Sequence, residues 1–275
     1  MYLTSYADSV TLSDIWVSSN GKLSDFYASS WQRGDSALPL LVLRLLLAAA
    51  AVGILAWSVA EGASPYWLIY LTNWGLLMVT MMTLSGLLVS GIIFVKKPSE
   101  TSDSDIPWYI SMYWLLYNSA VSLAIMITAL YWILLYDSEL SAESRRMFWL
   151  DLSTHGFNSC IAFLEVALSR TPVRFLHFYQ PLGIGLWYAA FTAIYYAAGG
   201  TDAMGNHYIY EILDWKYGKR AGGIVGISIA GLLAIYALLW ALALCRDKAS
   251  TSLVRTTSQA LQATPPDDIL HTRIV

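Results

Sequence analysis

Charge is what this chain has least of. Only 13% of its 275 residues are Asp, Glu, Lys or Arg, while 57% are hydrophobic. A soluble domain carries about a quarter of its residues as charges. The net charge is −3, and no basic stripe interleaved with aromatics occurs, so nucleic acid is not an expected partner. There are two cysteines, Cys160 and Cys245, both inside apolar runs, which excludes a disulfide framework. The four histidines, His155, His177, His207 and His271, are too few and too scattered for a multi-haem carrier or a His-rich zinc hydrolase. No Gly-rich phosphate loop and no internal repeat are present. Asp8, Asp14, Asp25 and Asp35 interrupt the first 37 residues, which contain no compact apolar core of a cleavable signal peptide. The first apolar run is therefore expected to act as its own insertion signal.

What the chain has instead is long apolar runs. A spanning helix needs about 20 largely apolar residues. Six stretches qualify, roughly 38–60, 66–95, 107–136, 148–168, 175–198 and 221–245. The expectation is an all-α polytopic membrane protein, a six-helix transmembrane bundle. A segment over 1–37, with a possible interfacial helix, precedes the 38–245 domain, and a Ser-, Thr- and Pro-rich disordered tail over 246–275 follows it. Ser64-Pro65 and Asp105-Ile106-Pro107 place helix starts before spans two and three.

Lys and Arg outside the spans set direction. Lys22, Arg33, Lys96, Lys97, Arg170, Arg174, Arg246, Lys248, Arg255 and Arg273 fall on one side; Arg145, Arg146, Lys216, Lys219 and Arg220 fall on the other. The bias predicts that both termini are cytoplasmic. It does not distinguish plasma membrane from endoplasmic reticulum, and the oligomeric state is open.

Ionisable groups inside a bilayer are costly and face the bundle interior or a cavity. In the fourth span Asp151, His155, Asn158, Ala162, Glu165 and Ser169 recur at steps of four and three, which puts them on one helical face. Arg44, inside the first span, is expected to snorkel or to pair with Glu165. Pro181 is expected to kink the fifth span. The many aromatics of spans three and five read as packing residues and interface anchors.

Thr72 lies about five residues into the second span, roughly 8 Å below the non-cytoplasmic edge, and His155 roughly 10 Å below the same edge. A hydroxyl and an imidazole at one depth are a candidate nucleophile and general base. Asp151, one turn from His155, is placed to fix the ring tautomer; Asn73, Asn158 or a backbone amide is placed to receive an oxyanion. The plainer alternative is that Thr72 bonds back to the Leu68 carbonyl and His155 only links helices. Neither requires a metal or cofactor. A water-filled transporter path is the third alternative, and the apolar Leu87-Leu88-Val89 and Ile92-Ile93-Phe94 give it no support.

The segments Tyr70-Leu71-Thr72-Asn73-Trp74, Leu150-Asp151-Leu152-Ser153-Thr154-His155-Gly156-Phe157-Asn158-Ser159, Pro172-Val173-Arg174-Phe175-Leu176-His177-Phe178 and Tyr208-Ile209-Tyr210-Glu211-Ile212-Leu213-Asp214-Trp215 resemble, in order, the Rolling stone family of multipass membrane proteins. That family is distantly similar to the androgen-induced and androgen-dependent TFPI-regulating six-span hydrolases. That resemblance implies an intramembrane Thr/His lipid esterase acting on fatty acid esters of hydroxy fatty acids. Thr72 and His155 match that pair, with membrane lipids and a lipid ester as partners. The residues that follow them, Asn73-Trp74 and Gly156-Phe157-Asn158, differ from the hydrolase pattern, which puts the activity in doubt more than the fold. Rolling stone itself is associated with myoblast fusion, so the resemblance equally implies a non-enzymatic protein of cell adhesion, fusion or signalling.

Overall fold

The computed structural model describes residues 22–96, 106–136 and 144–254. The segment 1–21, the 97–105 and 137–143 loops and the tail beyond 254 lie outside the described residues. Regular structure among the described residues is helical, apart from one isolated bridge between Ser29 and Ser169.

Helix α1 spans Leu38–Gly62, α2 Leu71–Lys96 and α3 Trp108–Leu130, the last prolonged by a π-turn over Tyr131–Leu135. Helices α4 (Arg145–Leu152) and α5 (Asn158–Leu168) form one rod, joined by a second π-turn over Ser153–Phe157. Helix α6 spans Tyr179–Ala197 and α7 Gly218–Leu253. The four helical segments Leu38–Gly62, Leu71–Lys96, Trp108–Leu135 and Trp215–Leu253 are long and apolar enough to cross a membrane. The chain is a multipass helical membrane protein.

Helix α3 is the axis of the bundle. Every residue from Tyr117 to Ala124 is buried, as are Met126 and Ile127, as expected of a helix enclosed on all sides. The outer helices are apolar outward: Leu46 on α1, Ile194 on α6, and Ile227 and Leu238 on α7 are exposed, which suits lipid as the surrounding solvent.

At the end of the bundle that holds residues 22–37, polar groups lock the helices. The Arg44 guanidinium donates to Glu165 Oε1 (2.7 Å), Phe26 O (2.8 Å), Gly86 O (3.0 Å) and Ser90 Oγ (2.7 Å). The Arg44–Glu165 pairing expected from the sequence is therefore present, and both residues are buried. Arg170 binds the Ser29 and Gly34 carbonyls and the Asp35 carboxylate, and so fastens the N-terminal segment. Arg246 pairs with Asp247 and donates to Val166 O at 2.6 Å. Helix α7 thus continues to Leu253, eight residues past the expected boundary at 245. Arg246, Asp247 and Ser250 are buried against α5 and the segment after it, so a polar stretch that resembles an exit from the bundle is part of it.

Two other expectations change. Helix α2 begins at Leu71, not 66, because Pro65 is followed by a 3₁₀ turn over Trp67–Ile69. Pro181 falls in the first turn of α6, where its missing N–H removes no intrahelical bond, so it starts the helix and does not kink it.

Gly86 is where α2 comes closest to the arginine cluster. A Cβ there would lie 2.9 Å from Tyr113 Cε2 and 3.1 Å from Arg44 Nε. Gly86→Ala is expected to destabilise the protein by about 1–3 kcal/mol through overpacking. Thermal unfolding in detergent checks this, with Gly91→Ala, where a Cβ meets open space, as the control.

Candidate active site

Thr72 is the second residue of α2, and its Oγ1 lies 3.0 Å from His155 Nε2. It does not bond back to the Leu68 carbonyl, which accepts from Trp74 Nε1 at 2.7 Å. The two groups meet although Thr72 sits in the first turn of its helix. The rod that carries His155 starts three residues earlier than expected, at Arg145, and the π-turn re-aims its side chains. Such bulges recur at functional sites.

The hydrogen bonds around His155 determine its tautomer. Nδ1 lies 3.1 Å from the Asp151 carbonyl oxygen and 3.1 Å from Thr154 Oγ1. Thr154 donates its own proton to Leu150 O at 2.9 Å, so its oxygen is an acceptor. Both neighbours of Nδ1 therefore accept, Nδ1 carries the proton, and Nε2 turns a lone pair on Thr72. This is the arrangement a general base requires. Asp151 orients the ring as anticipated, but through its main-chain carbonyl. Its carboxylate hydrogen-bonds instead to the Tyr131 hydroxyl. The Tyr131 ring stacks on the imidazole with centroids 3.5 Å apart and planes 1° apart, which sets an aromatic π-surface against the ring. Thr128, one turn earlier on α3, donates to the His155 carbonyl and pairs with Ser159, which itself donates to Ala124 O at 2.8 Å. These bonds tie the π-turn to the central helix.

The proposed oxyanion donors are placed otherwise. The Asn73 amide donates to Trp67 O at 2.5 Å, and its Oδ1 lies 3.5 Å from Ser58 Oγ, so it fastens the 3₁₀ turn that leads into α2. Asn158 is buried at the start of α5, one turn beyond His155. The Tyr210 hydroxyl is the group the structure brings beside Thr72. It accepts the N–H of the preceding residue, Leu71, at 2.9 Å. Burial pushes this phenol above its ordinary range, so it stays neutral. Tyr188 donates to Ile69 O at 2.8 Å.

Thr72 opens onto a cavity of about 110 Å³ between α2, α3, α6, α7 and the 210–213 turn. Its wall is apolar apart from Thr72, Tyr131, Tyr188, Tyr210 and Ser228, and contains no charged side chain. His155 is buried behind this wall. Along α3 the lining residues run from Leu123 to Leu135, roughly 18 Å of helix. Tyr131, Tyr188 and Tyr210 were not among the residues singled out from the sequence, since aromatics in a membrane protein read first as anchors and packing. The available signal was the Tyr208–Trp215 segment, a run too polar for a span yet rich in rings. Among the described residues no three His, Cys, Asp or Glu side chains converge as metal ligands.

A family model described as Protein rolling stone matches residues 4–261. The Drosophila melanogaster protein of that name is 28% identical over 225 residues, covering 79% of this chain and 80% of that protein. No solved structure matches. The ordered match across nearly all of the sequence, on an all-helical membrane fold, establishes that this chain belongs to the Rolling stone family.

Proposed function

We propose that this protein is an intramembrane threonine-type lipid ester hydrolase. Thr72 is the nucleophile and His155 the general base. The observation that carries this reading is the 3.0 Å contact between Thr72 Oγ1 and the unprotonated Nε2 of His155 at the wall of an apolar cavity. In this reading all six helical rods cross the bilayer, both termini are cytoplasmic, and the site lies near the opposite face.

The uncharged lining favours an ester whose buried portion is neutral. A fatty acid ester of a hydroxy fatty acid fits if its free carboxylate stays at the interface while the acyl chain occupies the cavity. Each CH₂ buried contributes about 0.8 kcal/mol to retention of such a chain. In acylation the Thr72 proton passes to His155 Nε2 as Oγ1 bonds to the ester carbon. The carbonyl electron pair moves to oxygen, and on collapse the C–O bond to the leaving alkoxide breaks while His155 returns the proton to it. Water then attacks the acyl-threonine by the same route, giving the free acid and restoring Thr72.

The test uses purified full-length protein with a branched fatty ester, comparing wild type, Thr72→Ala and His155→Ala. Turnover by wild type alone supports the reading. Equal turnover by all three, or none by wild type, removes it and leaves the non-enzymatic role in adhesion or fusion. Covalent labelling of Thr72 by a fluorophosphonate, dependent on His155, would count against that second role.

A further inference from the structure

We propose that Tyr210 is a catalytic residue of this site, donating its phenolic proton to the oxyanion formed when Thr72 attacks an ester carbonyl. The inference rests on the hydrolase reading above and adds a residue to it.

An oxyanion donor must sit beside the nucleophile, face the space the substrate occupies, and have a proton to give. Tyr210 lines the same cavity as Thr72 and is bonded to the main chain of the residue before it. Its oxygen accepts the Leu71 N–H at 2.9 Å, which leaves its own O–H to give to another acceptor. The competing groups are committed. Tyr188 donates to Ile69 O, Tyr131 to the Asp151 carboxylate and Asn73 to Trp67 O. Ser228 also lines the cavity, but from α7, and it is Tyr210 that is bonded to the residue next to the nucleophile.

The main-chain bond adds a second effect. Leu71 is the first residue of a 26-residue helix, whose unpaired N-terminal amides carry the positive end of its dipole. By accepting that N–H, the Tyr210 oxygen is polarised, and its own proton becomes a stronger donor. The helix end thus acts on the reacting carbonyl through the phenol. When Thr72 Oγ1 bonds to carbon, the carbonyl pair moves to oxygen and the Tyr210 O–H bonds to it. On collapse the C=O re-forms and the proton remains on Tyr210, so no proton is consumed. The Tyr210 ring also packs on Tyr70, with centroids 5.9 Å apart, which holds the 199–217 loop against the start of α2. Asp202 shapes that loop by accepting from the Met204 and Asn206 amides at 2.9 and 2.8 Å.

The experiment compares Tyr210→Phe with wild type on a branched fatty ester, with Thr72→Ala in parallel. The expected result is a fall in kcat of about 10²–10³-fold with KM little changed. Because Tyr210→Phe also deprives Leu71 N–H of its acceptor, a second series replaces Tyr210 with fluorinated tyrosines, which keep the ring and hydroxyl and vary only its acidity. A purely structural role predicts one kcat across that series; an oxyanion donor predicts a graded change. Wild-type kcat in Tyr210→Phe, or a flat fluorotyrosine series, with Thr72→Ala inactive, overturns the role of Tyr210 and leaves the nucleophile standing. Full activity in Thr72→Ala overturns both.

Discussion

His155→Ala is expected to lower kcat for a neutral fatty ester by about 10²–10⁴-fold, and the double variant with Thr72→Ala to be no worse than Thr72→Ala alone. The reason is that in the proposed hydrolase the two groups act as one unit. Without the Nε2 lone pair 3.0 Å away, the Thr72 hydroxyl has no proton acceptor, and removing it then costs little more. Additive losses would show that the residues act separately. The same geometry makes a sharper forecast for Asp151. If a carboxylate fixed the His155 tautomer, Asp151→Asn would be nearly as damaging as loss of the imidazole. Here the tautomer is fixed by the Asp151 main-chain oxygen and by Thr154. Asp151→Asn therefore keeps kcat close to wild type, since an amide oxygen still accepts from Tyr131. Thr154→Val removes one of the two Nδ1 acceptors and should cost more. Steady-state kinetics on the three variants decide the order; an Asp151→Asn loss matching that of His155→Ala would refute this account of the ring.

The main features of both fold and site are legible in the sequence because bilayer constraints act on composition over long windows. The runs 38–60 and 107–136 come within two residues of α1 and of α3 with its π-turn. The polar stripe of the fourth span holds past its first member: His155, Asn158, Ala162, Glu165 and Ser169 are buried, while Asp151 is half-buried. What escapes such windows is local geometry. Trp67-Leu68-Ile69-Tyr70 is as apolar as a helix, yet it holds a 3₁₀ turn, and this puts Thr72 at a helix end. Nothing in Ser153-Thr154-His155-Gly156-Phe157 announces an i→i+5 turn. The Tyr210 contact joins residues 139 apart, which no periodicity encodes. Arg246-Asp247 looks like the start of a tail because hydropathy reads each charge singly, whereas burial depends on their pairing.

Glu165→Ala is expected to destabilise the fold by about 3–5 kcal/mol, the largest effect of any single replacement outside the candidate site. Glu165 Oε1 accepts from Arg44 Nε (2.9 Å), Arg44 Nη2 (2.7 Å) and the Tyr113 hydroxyl (2.8 Å), all within the core. Removing the carboxylate leaves the Arg44 guanidinium buried with neutral acceptors only, Phe26 O, Gly86 O and Ser90 Oγ among them. An uncompensated buried cation is costly in a way that absence of the whole pair is not. Arg44→Leu combined with Glu165→Leu should therefore recover at least half of the loss, even though the Phe26 and Gly86 carbonyls lose a donor. Denaturant titration in mixed micelles, read by tryptophan fluorescence, measures the three variants on one scale. If the double replacement is as unstable as Glu165→Ala, the cluster serves mainly to satisfy the carbonyls of the N-terminal segment and α2. If Glu165→Ala itself is neutral, Arg44 has an escape to the interface that its burial denies. The Thr72–His155 site lies at the other end of the bundle, so the surviving folded fraction should keep wild-type kcat. That separation distinguishes a residue that holds the bundle together from one that acts on substrate.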